Sequence, residues 1–251
     1  MIPVAPEVPQ PLGHHLSALR RLLLRMLAAV GSATAVAFIA APSVFRILCK
    51  PYVALLSRHD VPQTTFLLTL DPSETFKISC TIALMLGVFL VLPYLLYEIW
   101  RFVRPGLTRG ERRWIFPLLA GGTLLFFCGA IFAYYAALPM MLLFFWDYSL
   151  RLGVTPSWSI AHYTNFVLGN LAAFGLAFEL PIVTTLLVAL GILTADQLRQ
   201  YRRHSIFIIC VVAAVLTPAD VLSMILMAIP LLALYELSVI LARIVGPRPR
   251  H

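Results

Sequence analysis

Long apolar runs alternate along the chain with short arginine-rich segments. An α-helix needs roughly 20 apolar residues to cross the hydrocarbon of a bilayer. Four runs reach that length: Leu22–Ala41, Ile78–Ile99, Trp114–Trp146 and Tyr163–Leu193. A fifth stretch, Ser205–Ala242, has 38 residues. As one straight helix it would run about 57 Å, nearly twice the core thickness. Thr217-Pro218-Ala219-Asp220 interrupts it with a helix-start signal: Thr at N-cap, Pro at N1 and an acid at N3. Two helices are therefore predicted here, 205–216 and 221–242. The first has 12 residues, about 18 Å. The second has only 14 residues, Val221–Leu234, ahead of Tyr235-Glu236 and contains Pro230. Neither is expected to cross upright, which leaves a thin or wet region beside the pair. The predicted fold class is an all-α polytopic membrane protein with six transmembrane helices, the last two short.

Composition supports lipid as the solvent. The chain is 61% hydrophobic and 12% charged, with mean hydropathy +0.90. Soluble domains average about 25% charged residues. At 251 residues it reads as one membrane domain (1–251), with 1–14 a loose cytoplasmic tail. The net charge of +8 is placed by topology, not by nucleic acid. With six spans, one side holds Arg20, Arg21, Arg25, Arg101, Arg104, Arg109, Arg112, Arg113, Arg199, Arg202, Arg203, Arg243, Arg248 and Arg250. The other holds Arg46, Lys50, Arg58, Lys77 and Arg151. The positive-inside rule then puts both termini in the cytoplasm, and the protein in the cytoplasmic (inner) membrane. The basic residues also suit anionic lipid. Leu22–Ala41 is too long for the apolar core of a cleavable signal, so it is read as a retained first span. Cys49, Cys80, Cys128 and Cys210 form no C-x-x-C pair and read as free thiols, with a Cys49–Cys80 disulfide as the alternative.

Capping signals mark other helix starts: Asp71-Pro72-Ser73-Glu74, Thr108-Arg109-Gly110-Glu111 and Thr194-Ala195-Asp196-Gln197. Pro93, Pro117, Pro139, Pro181 and Pro230 predict kinks. The segment 42–77 is expected to lie as a cap over the outer mouth. The chain has no internal repeat.

The sequence holds no H-E-x-x-H, G-x-S-x-G, Walker A or metal-spaced Cys/His set, so neither enzyme, cofactor nor metal is expected. His162 and His204 read as interfacial. Glu179 stands out mid-span, in Phe178-Glu179-Leu180-Pro181. A charge at the bilayer centre costs roughly 2.5–3.5 kcal/mol on insertion scales, so such acids face a cavity or a partner. The bland alternative is a protonated acid bonded to a carbonyl freed by Pro181. Glu236 reads as snorkelling or pairing with Arg243, Glu98 as interfacial, and Glu111 as completing the cap of Thr108. On the residues alone, Glu179 and the Pro-broken final helices also fit a proton-coupled small-molecule transporter. A purely structural scaffold is the third reading.

Taken together, the motifs bear a resemblance. The carrying segments run from His15-Leu16-Ser17-Ala18-Leu19-Arg20, through Pro72-Ser73-Glu74-Thr75-Phe76-Lys77, to Tyr97-Glu98-Ile99-Trp100-Arg101-Phe102-Val103-Arg104-Pro105-Gly106-Leu107. Glu111-Arg112-Arg113, Phe132-Ala133-Tyr134 with Pro139, Phe174-Gly175 with Phe178-Glu179-Leu180-Pro181, and Leu216-Thr217-Pro218-Ala219-Asp220 with Pro230 and Tyr235-Glu236 follow in order. The chain resembles the TatC subunit of the twin-arginine protein translocase from His15 to about Arg243. The resemblance implies a glove-like concave bundle and a core receptor for the twin-arginine signal peptides of folded cargo, driven by the proton-motive force. It implies TatA-like and TatB-like single-span partners, and a homo-oligomer within the receptor complex. It assigns signal-peptide binding to Glu111, Trp100, Phe102, Pro105 and Arg20. It assigns an intramembrane polar site to Glu179, and partner-helix contact to Thr217, Met224 and Glu236. Two positions depart from the family pattern: Ala18 stands where the family has an acid, and Met224 where it often has Gln. Glu98 and Glu7 are the acids that could stand in for the first.

Overall fold

Every peptide group that enters hydrocarbon must find its hydrogen-bond partner within the protein, and the helix does this locally. In the computed structural model, which describes residues 12–59, 67–103, 115–189, 192–216 and 221–245, ten α-helices hold almost all the described chain. They are α1 (Leu12–Leu48), α2 (Lys50–Arg58), α3 (Glu74–Val103), α4 (Ile115–Phe132), α5 (Leu138–Arg151), α6 (Ile160–Phe178), α7 (Leu180–Ala189), α8 (Ala195–Gln200), α9 (Arg202–Leu216) and α10 (Val221–Val245). A π-helical turn, Ala133–Ala137, joins α4 to α5. Four continuous stretches are long and apolar enough to cross a membrane: 17–58, 74–102, 117–151 and 160–188. The apolar part of α10, Met227–Ala242, is shorter.

The expected boundaries shift in instructive ways. Helix α1 begins at Leu12, inside the expected tail, and runs through Pro42 to Leu48, inside the expected outer cap. The cap is itself largely helical: α2 buries Tyr52, Leu55 and Leu56. The expected span 114–146 is two helices, because Pro139 has no N–H to give the Tyr135 carbonyl and the chain widens into the π turn just before it. The expected span 163–193 is likewise α6 and α7, divided at Glu179 ahead of Pro181. Helix α9 is short, as expected, though it starts at Arg202. Helix α10 continues across Pro230 and past Glu236 to Val245. Met227 and Leu231, flanking that proline, are fully buried, so packing holds the helix where one backbone bond is lost. The links at 104–114 and 217–220 lie outside the described residues, and the caps expected at Thr108 and Thr217 lie there with them.

The helices stand in a row with a thickened middle, where α3, α4 and α6 touch one another. Helix α1 packs along α3; α3 meets α4 and α6; α4 packs on α6; α10 covers α7; and α9 lies against α10. The end members are thinly packed: in the most apolar window of α1 only 11% of residues are buried, against 56% for the α6–α7 stretch. Close approaches use glycine. A Cβ at Gly129 would lie 2.6 Å from the Phe174 carbonyl oxygen, and one at Gly87 would lie 2.6 Å from Thr34 Oγ1.

One end of the row is closed by a cap made of α2, residues 67–73 and the start of α6. The centre of this cap is Glu74, 6% exposed. Its Oε2 accepts from the backbone N–H of Leu70 at 2.7 Å and of Asp71 at 3.4 Å. Its Oε1 accepts from Ala161 N–H at 3.0 Å. The segment is also zipped to α6 by Leu68 N–H to Trp158 O and Ile160 N–H to Leu68 O, at 3.0 and 2.9 Å. Asp71 accepts from both the N–H and hydroxyl of Ser73, which, with Lys77 nearby, holds its carboxyl below the usual range. Two tyrosines cover the carbonyls left over where α1 ends: Tyr134 donates to Ile47 O and Tyr163 to Leu48 O, each at 2.7 Å. Cys49 is buried beside them and Cys80 is exposed; both thiols are free. The far end of the row carries α8, whose capping box between Thr194 and Gln197 forms as expected.

Two substitutions test this packing. Gly129→Ala is expected to destabilise by about 1–3 kcal/mol, because the new methyl meets backbone and cannot be accommodated by a rotamer change. Glu74→Ala strands three N–H groups and is expected to lower the melting temperature in detergent by several degrees, with Glu74→Gln intermediate. Fluorescence-detected thermal unfolding of the purified protein reads both.

Candidate functional site: two buried acids near the uncapped end

Away from the cap, α3, α4 and the α6–α7 junction meet around Glu179. This residue closes α6: its N–H donates to Leu176 O at 3.1 Å, and its carbonyl accepts from Ile182 and Val183 N–H, each at 3.0 Å. Pro181, which supplies no N–H, forces the division. The carbonyl of Pro181 is taken by the hydroxyls of Thr184 and Thr185, at 3.1 and 2.6 Å. The Glu179 side chain is 8% exposed, and its Oε1 is buried with no hydrogen-bond partner among the described residues. This differs from a carboxyl bonded to a freed carbonyl. The carboxylate lies over Gly122 of α4: a Cβ built there would stand 2.9 Å from Oε2 and 3.4 Å from both Oε1 and Leu96 Cδ1. Glu179 lies 19 residues from the start of α6 and 10 from the end of α7, so it is displaced from mid-span toward the uncapped end.

The second acid is Glu98, on the last turns of α3 and 4% exposed. Tyr94, Glu98 and Arg101 share one helix face by their spacing of four and three. Tyr94 donates its hydroxyl to Glu98 Oε1 at 3.2 Å, and Arg101 Nη1 donates to the same oxygen at 3.3 Å. Glu98 Oε2 faces Arg25 of α1, whose Nη1 is 3.8 Å away. Both guanidinium groups are about half exposed. Glu98, expected as an interfacial residue at the end of its span, is a buried carboxylate on the last turns of α3 that pairs across to α1. The Tyr-x-x-x-Glu-x-x-Arg spacing carried that signal, and its partner on α1 was not legible from spacing.

The other expected site residues disperse. Trp100 is buried at 4% exposure and Phe102 is half-buried, both on the final turn of α3. Arg20 is exposed on α1, two residues from the half-buried Ala18. Pro105, Glu111 and Thr217 lie outside the described residues. Met224 is half-buried and packs on the core, while Glu236 is exposed. Twelve positions apart on α10, these two are separated by about 18 Å. Glu236 pairs with Arg202 of α9 at 2.6 Å, since the α9–α10 packing brings Arg202 across from it; the side chain of Arg243, the expected partner, lies outside those described. Beside that pair the Tyr235 hydroxyl donates to Leu198 O, tying α10 to α8. His162 Nδ1 lies 2.7 Å from Ser159 Oγ at the start of α6, and His204 stacks edge-on to Tyr201.

Gly122→Ala tests the seat of Glu179. The carboxyl group is the free end of a flexible chain, so it is expected to move aside with little loss of stability. An apolar carbodiimide should then label Glu179 several-fold faster than in the unsubstituted protein, as read by mass spectrometry of the purified protein in detergent.

Comparison with known proteins gives a consistent result. The family described as Sec-independent protein translocase protein (TatC) matches residues 14–230. The protein of that name from Aquifex aeolicus is 40% identical over 235 residues, which covers 93% of this chain and 95% of the relative. The Listeria innocua protein is 34% identical, over 94% and 92% of the two chains. Among solved structures, a crystal structure of the twin arginine translocase receptor TatC superposes with a TM-score of 0.77 at 39% identity, covering 92% of this chain and 99% of that one. With this agreement in sequence, length and helix arrangement, the chain belongs to the TatC family of Sec-independent protein translocase subunits.

Proposed function

We propose that this chain is the signal-peptide receptor and core of a twin-arginine translocase in the inner membrane. The observation that carries this reading is the match along nearly the whole chain to a solved twin arginine translocase receptor. The uncapped end of the row is the cytoplasmic one. There α1 begins, α3 ends, α8 lies and α10 ends, and most of the arginines gather. The α2 cap then faces outward. The crossing of 205–216 and 221–242 as a final pair completes six spans with both termini inside, within one TatC-like domain.

An incoming signal brings two guanidinium groups, which need carboxylates and can bind them in a bidentate way. Glu111, next to Arg112 and Arg113, is the proposed first partner, with Trp100, Phe102, Pro105 and Arg20 shaping the loop around it. Glu179, with an oxygen left unpaired beneath that surface, is the proposed meeting point for a polar group on the signal or on a partner helix. Thr217, Met224 and Glu236 on the last hairpin are the proposed contacts for TatA-like and TatB-like single-span subunits. Folded cargo crosses after their recruitment, powered by the proton-motive force, with several copies of this chain in the receptor complex.

A photo-crosslinker placed at Glu111 in inverted membrane vesicles is expected to capture a twin-arginine precursor and to lose most of that yield with its twin-lysine variant. Equal capture of the two overturns the receptor reading.

A further inference from the structure

The resemblance leaves one charge unaccounted for. Two arginines arrive, while the acid expected on α1 is Ala18, half-buried and without charge. Among the described residues of α1 from Ser17 onward there is no Asp or Glu at all. The charge near this end of α1 comes from the neighbouring helix, in Glu98.

The two oxygens of Glu98 are not used alike. Oε1 is fully engaged, accepting from Tyr94 and Arg101 of its own helix at 3.2 and 3.3 Å. Oε2 faces Arg25 at 3.8 Å, beyond hydrogen-bond length, from a side chain that is 48% exposed. Arg25 can leave without exposing apolar core, because its side chain is already half exposed and α1 around it is thinly packed. Its departure costs a weak pair and returns side-chain freedom. A guanidinium that replaced it could approach to bonding distance and use the oxygen that Arg25 leaves half-satisfied.

We infer that Glu98 is a second signal-binding carboxylate, held in reserve by Arg25, and that an arginine of the bound signal displaces Arg25 from Oε2 while Arg101 and Tyr94 keep Oε1. This rests on the receptor reading above and deepens it. The exchange trades one guanidinium for another, so the charge at the carboxylate is unchanged. Only the bond that joined α1 to α3 is lost. Arg25 thus competes with the signal, and the apparent affinity falls with the fraction of receptor in which Arg25 occupies the site. A lysine substitutes poorly, because the ammonium lacks the planar fork.

The sign of one substitution separates exchange from a simple structural tie. Labelled twin-arginine and twin-lysine peptides are titrated by fluorescence anisotropy against the full-length protein purified in detergent. If Glu98 receives the signal, Arg25→Gln tightens twin-arginine binding by about fivefold, the equivalent of a surface ion pair. Glu98→Gln weakens it by a similar factor and narrows the preference for arginine over lysine, and Arg25→Gln no longer improves binding in that background. Arg25→Gln binding equal to or weaker than the unsubstituted protein overturns the exchange while leaving the receptor reading intact. A failure of the unsubstituted protein to prefer the twin-arginine peptide overturns both. Thermal unfolding of each variant, run in parallel, shows whether a loss of binding in Glu98→Gln comes from a loosened fold; the gain expected in Arg25→Gln has no such origin.

Discussion

The peptide bond cannot be left unpaired in hydrocarbon, and the structure is arranged around that constraint. Where the helix continues, the chain satisfies itself. Where it stops within the packed region, a side chain from elsewhere covers the exposed carbonyl. Tyr134 and Tyr163 cover the end of α1. Tyr235 covers the last turn of α8. At the cap, Glu74 does the converse and accepts from three free N–H groups on two segments. These covered breaks let the chain turn corners, and the corners place the functional groups. Glu179 sits where it does because Pro181 ends α6, and the helix that resumes is aimed by its packing on α10.

The two buried acids behave differently although both lie in the half of the row away from the cap. Glu98 is surrounded by cations and a hydroxyl, so its charge is matched inside the protein. Glu179 has an apolar helix junction on one side and a glycine on the other, and keeps an oxygen without a partner. The first is a charge-paired group with one oxygen loosely held; the second keeps an oxygen with no hydrogen-bond partner among the described residues.

Much of this was legible in the residue order. The apolar runs gave the four long spans, the Thr194–Gln197 box gave the start of α8, and the order of short motifs gave the family. The pattern misjudged helix ends wherever a remote partner decides them. Leu12–Leu48 runs on through Pro42, and its end is held by tyrosines 87 and 115 positions away, which no local pattern reports. Pro230, expected as a kink, sits inside a continuous α10, where burial of Met227 and Leu231 outweighs a single lost bond. In the candidate site, Glu179 was found by the rarity of charge in an apolar run, whereas its seat on Gly122 depends on three helices meeting. Glu98 was read as interfacial because its own helix says nothing about Arg25 opposite.

The one-sided bracing of the outermost helices has a mechanical consequence. A closed bundle resists bending in every direction, since each helix is braced by neighbours on several sides. An edge braced on one side is stiff along the helix axes and compliant across them, like the end slats of a blind. At its α1 edge the bracing is mainly the contact with α3, and at its α9 edge mainly the contact with α10. Curvature of this wall can therefore change by small rotations between adjacent slats, with every backbone hydrogen bond kept. The two edges can therefore bend while the thicker middle keeps its packing.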